Sequence, residues 1–121
     1  FHRQCPGGQV LYYSKGTDAE HWSALENLPL AGIGVDWRSN MAEVLQRFGD
    51  RWAVQGNFDP NALLLPEPEF KEALERFFEP LVKLPADKRR GWICGLGHGV
   101  LPPTPERHVR LFIERQHELF S

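Results

Sequence analysis

At 121 residues, with 41% hydrophobic and 25% charged side chains, the sequence has the make-up of a folded domain large enough to bury a core. No run approaches the ~20 consecutive apolar residues of a membrane helix, and 14 basic against 16 acidic side chains, net charge -2 with no basic stripe, argue against nucleic acid as a partner. The two cysteines, Cys5 and Cys94, are too few and too far apart for a disulfide framework, which favours a reducing, cytoplasmic setting. The chain opens on Phe1, its only methionine is Met41, and no leader-like segment comes first, so a piece of a longer chain is expected.

In chain order, Gln9 to Tyr13 is a short β-rich run. Thr17 with Glu20 three residues on forms a capping box that opens a helix through Trp22 and Leu25. Gly32 to Trp37 is a second apolar run, followed by Ser39 as cap and by Met41, Val44, Leu45 and Phe48 at helical spacing, with Gly49 ending the helix. Trp52, Ala53 and Val54 make a third run, expected to close at Gln55-Gly56-Asn57. Asp59-Pro60 then pairs a capping carboxylate with a proline at a first helical position. A longer helix carries Phe70, Ala73, Leu74, Phe77, Phe78, Leu81 and Val82, with Pro80 expected to kink or end it. Leu84 to Arg90 resembles a linker. Trp92, Ile93 and Cys94 form the fourth run, leading into Gly95-Leu96-Gly97-His98-Gly99, and Thr104-Pro105-Glu106 starts a last helix.

Four short strands alternating with helices predict an α/β fold: four βα units on a parallel sheet, residues 1–121 forming a single domain. Four such units are half of a (β/α)8 TIM-type barrel, and a half leaves unpaired edges at the Gln9 and Trp92 strands. A missing N-terminal half, a second copy of the chain, or an open sheet with shielded edges would each cover them. The pattern alone does not choose.

In a barrel the loops after the strands carry the chemistry, which singles out Lys15, Asp36, Gln55, Asn57 and His98. His98 stands between Gly97 and Gly99, where absent side chains let a ligand approach, and imidazole suits carboxylate contact or proton relay. The plainer alternative is a histidine that closes a tight turn. Asp36 and Asp59 each precede a helix start, and capping accounts for both; Lys15 is either a solvated loop lysine or a cation for an anionic substrate. Glycines 95, 97 and 99 lack the G-x-G-x-x-G spacing of a phosphate cradle, and His2 with Cys5 falls short of a zinc set. No G-x-S-x-G or H-E-x-x-H motif occurs, so the common hydrolase classes drop out. The four tryptophans, Trp22, Trp37, Trp52 and Trp92, are expected in core packing.

Three motifs in order, Gly34-Val35-Asp36-Trp37, Gln55-Gly56-Asn57-Phe58-Asp59-Pro60 and Leu96-Gly97-His98-Gly99, resemble the C-terminal half of the uroporphyrinogen decarboxylase family. The resemblance implies a (β/α)8 barrel that converts the acetate side chains of uroporphyrinogen to methyl groups, giving coproporphyrinogen in haem biosynthesis, with no metal or organic cofactor. It implies that His98 contacts the tetrapyrrole, that no other family site residue lies in this chain, and that a homodimer or pairing with the N-terminal half completes it. The fragment alone is expected to be inactive. Gly95 departs from the family, which usually has asparagine there. Related zinc-dependent cobamide methyltransferases place a cysteine near the position of His98, so His98 argues against methyl transfer; a non-catalytic, self-associating α/β module is the remaining alternative.

Overall fold

The computed structural model describes residue 4, residues 7–13 and residues 19–120. The expectations at His2, Cys5, Lys15 and Thr17 lie outside the described residues. Strands β1 (Leu11–Tyr13), β2 (Gly32–Gly34), β3 (Ala53–Phe58) and β4 (Trp92–Leu96) form one parallel sheet in the order β1-β2-β3-β4. Helices α1 (Ala19–Ala24), α2 (Met41–Phe48), α3 (Glu67–Lys83), the short α4 (Ala86–Arg89) and α5 (Glu106–Phe120) connect or follow them.

The pleat sorts the side chains by face. Tyr12, Ile33, Val54 and Trp92 share one row of the register. That row meets the helices: Ile33 and Val54 lie in the buried cluster with Trp22, Leu45, Phe70, Phe78 and Phe112, and Trp92 packs against it. The alternate row, Tyr13, Gly34, Gln55 and Ile93, faces away from the helices. There Leu11, Tyr13 and Ile93 remain 47%, 44% and 47% exposed. A parallel sheet covered by helices on one side only is a section of barrel wall, whereas an open doubly wound sheet is covered on both.

The helices fold as their periodicity dictates. In α2, Met41, Val44, Leu45 and Phe48 form the buried stripe; in α3, Phe70, Leu74, Phe78 and Leu81 do. Four local expectations are corrected. The cap of α2 is Asn40 and not Ser39: its side chain accepts from the Glu43 N–H at 3.1 Å. Strand β3 does not close at Gln55-Gly56-Asn57 but runs through them to Phe58, because each pairs with β4 (Gln55 with Ile93, Gly56 with Cys94, Asn57 with Gly95). Asp59 caps a five-residue 3-10 turn, Pro60–Leu64, before α3 begins at Glu67. Of the two outcomes expected at Pro80, ending the helix is excluded, since α3 continues to Lys83; the proline stands on the exposed side, where the donor it removes is least costly. The linker-like stretch contains α4.

Candidate functional site

His98 lies two residues beyond the end of β4, at the carboxyl-end rim of the parallel sheet. It lines a cavity of about 400 Å³ with Tyr13, Gly34, Val35, Gln55, Leu96, Gly97 and Gly99. These residues come from the carboxyl ends of β1, β2 and β4, from the loops after β2 and β4, and from Gln55 within β3, and the bare positions Gly34 and Gly97 leave the space open. The loop that carries His98 is tightly held on one side. The Gly97 N–H donates to the Phe58 carbonyl at 2.9 Å, extending the β3–β4 pairing by one bond. A Cβ on Gly97 would stand 2.6 Å from the backbone nitrogen of Trp37, so only glycine lets this loop rest on the β2–α2 loop. On the other side, the Tyr13 hydroxyl donates to the Gly97 carbonyl at 2.6 Å.

The ring of His98 has one defined partner: Nδ1 is 2.9 Å from the carbonyl oxygen of Gly99. A carbonyl only accepts, so Nδ1 carries the hydrogen and Nε2 is the nitrogen left for a ligand.

The other sequence candidates separate. Asp36 is 2% exposed, and its Oδ1 accepts from the Arg38 N–H at 3.0 Å. The Arg38 guanidinium lies 3.6 Å from Oδ2 and 5.4 Å from the centre of the Trp37 ring. Asp36 therefore shapes the β2–α2 loop and is not the helix cap expected of it; Asn40 is. Asn57 is buried, and its amide donates to the carbonyls of Asp36 (2.7 Å) and Ser39. It braces the same loop from β3. Gln55 lines the cavity beside His98, whereas Asp59 caps its 3-10 turn by accepting from the Asn61 N–H at 2.9 Å.

Tyr13 is the site residue that the sequence pattern missed. Inside a β-rich run a tyrosine reads as a strand former, and the only signal of another role is its place at the strand's carboxyl end. Partial burial, and secondarily the Asp36 carboxylate, push its pKa up from the ordinary 10.0, with Arg38 opposing, so the phenol keeps its proton and remains a donor. A larger cavity of about 500 Å³ lies on the outer side between α2 and α3. Its buried polar groups, such as Asn57, already serve the fold. Cys94 lies within β4, half-buried, and burial pushes its thiol up to about 12, which suits packing rather than nucleophilic chemistry. Among the described residues no three His, Cys, Asp or Glu side chains gather as a metal set, and no helix is long and apolar enough to cross a membrane.

The profile described as uroporphyrinogen decarboxylase (URO-D) matches residues 1–119. A uroporphyrinogen decarboxylase of Synechococcus sp. is 42% identical over 112 residues, which is 90% of this chain and 29% of that protein. One from Hamiltonella defensa is 34% identical over 110 residues, 91% of this chain and 29% of that protein. One from Trichodesmium erythraeum is 39% identical over 100 residues, 80% of this chain and 27% of that protein. The chain thus spans about 29% of the length of relatives it matches almost end to end. With four parallel βα units in the order that a barrel wall requires and a match across nearly every residue, the chain belongs to the uroporphyrinogen decarboxylase family.

Proposed function

We propose that this chain supplies the C-terminal half of a (β/α)8 barrel that decarboxylates the acetate side chains of uroporphyrinogen, yielding coproporphyrinogen. In each such step a CO2 leaves and a proton takes its place on the remaining carbon. His98 contacts the substrate through Nε2, its other nitrogen being engaged by Gly99. The observation that carries the reading is the position of His98: at the carboxyl-end rim of β4, lining a cavity to which all four strands contribute a residue. The uncovered inner face of the sheet supports the view that this half needs a complement, because a barrel wall is completed by the remaining strands.

The test is a reconstitution. The chain alone is expected to release no coproporphyrinogen above background. Adding the N-terminal portion of a uroporphyrinogen decarboxylase should restore turnover, and His98→Ala should remove most of it. Turnover by the isolated chain would sink the half-barrel account. Full activity of the His98→Ala assembly would sink the assignment of His98.

A further inference from the structure

We infer that Tyr13 is the positioning residue of the His98 loop, its hydroxyl tethering Gly97 so that the neighbouring imidazole keeps a fixed place over the cavity. For catalysis, the inference rests on the proposed substrate contact of His98.

Tyr13 ends β1, and Gly97 follows β4, so strands β2 and β3 lie between them in the sheet. The hydroxyl nevertheless lies 2.6 Å from the Gly97 carbonyl across a sequence separation of 84 residues. That reach depends on a bare position. Gly34 sits beside Tyr13 in the register, and a Cβ there would stand 2.8 Å from Cδ2 of the ring. The phenol therefore lies across β2 where any other residue would lift it away.

Gly97 is then held from three directions. Its N–H is held by Phe58, its Cα is backed by Trp37, and its carbonyl is engaged by Tyr13. Beyond His98 the described residues form no such wall, since none of them lies within 4 Å of where a Cβ on Gly99 would stand. Orientation of the His98 peptide is thus fixed from the Gly97 side, and Tyr13 is the part of that clamp contributed by the opposite edge of the sheet. The raised pKa of the phenol keeps it in the donor form. Tyr13 acts through Gly97 and His98 and is not itself a catalytic residue.

The experiment uses the reconstituted assembly with Tyr13→Phe, which keeps the ring over Gly34 and removes only the hydroxyl. Loss of one well-formed hydrogen bond should lower kcat/KM about tenfold. In a His98→Ala background the same change should cause no further loss, because a residue acting through His98 has nothing left to position. The amides of Gly97, His98 and Gly99 should exchange hydrogen faster in Tyr13→Phe, while the melting temperature stays within a few degrees, about the shift of a single bond.

Unchanged turnover with unchanged exchange would overturn the inference. An additional loss in the His98→Ala background would also overturn it, by showing that Tyr13 acts on the substrate directly. If His98→Ala alone leaves turnover intact, the reading of His98 fails; the tether is then judged by exchange, and unaltered amide protection refutes it.

Discussion

Gly95 and Gly97 are two residues apart and stand in opposite surroundings. Among the described residues nothing lies within 4 Å of where a Cβ on Gly95 would be, whereas one on Gly97 would collide with the Trp37 backbone. Gly95→Ala is therefore expected to leave the melting temperature unchanged. Gly97→Ala should cost about 1–3 kcal/mol by overpacking and should displace the His98 loop, measured as a fall in denaturation midpoint together with lost turnover in the reconstituted enzyme. Asn57 presents the complementary case, a buried amide that serves two carbonyls. Asn57→Ala strands both acceptors, and about 1–3 kcal/mol of stability should disappear on chemical denaturation. A variant as stable as the parent would mean that water replaces the amide.

At the scale of elements, α3 and α5 are joined by an aromatic seam, with Phe78 tilted against Phe112 (5.8 Å) and edge-on to Phe120 (5.7 Å) and to Trp92 of β4 (6.4 Å). Phe78→Ala should cost about 3–5 kcal/mol, since a fully buried ring leaves a cavity its neighbours cannot fill. The rim of the same pair carries Glu75, whose carboxyl the Arg115 guanidinium holds below the ordinary 4.5, first through hydrogen bonding and then through its charge, against desolvation. A lowered folded-state value means that the pair stabilises the fold above the ordinary carboxylate range and ceases to do so as pH falls through the lowered value. The melting-temperature gap between parent and Glu75→Gln, small at pH 7 because both groups are largely solvated, should close on acidification; a gap that widens would contradict it. These helices were legible in the sequence because Phe70, Leu74, Phe78 and Leu81 recur at helical spacing. The extent of β3 was not. Gly56 and Asn57 read as turn residues, and only pairing with Cys94 and Gly95 extends the strand through them. Ser39 and Asn40 are both good caps, and nothing local distinguishes them. His98 could be placed from its flanking glycines and from the strand before it. Tyr13 could not, because its partner lies 84 residues away and meets it only after the sheet has formed.

For the molecule as a whole, the uncovered face with Leu11, Tyr13 and Ile93 is apolar surface that a completed barrel would enclose. The isolated chain is expected to sediment as a dimer or larger species, with Ile93→Lys shifting it towards monomer; a monomeric parent at high concentration would count against the half-barrel account. The bond between His98 Nδ1 and the Gly99 oxygen reaches further still. With Nδ1 donating to the Gly99 oxygen, a neutral ring turns only the lone pair of Nε2 towards the cavity. The partner that suits that lone pair is a ligand N–H or O–H, so a group able to donate there is the one this ring is set to receive.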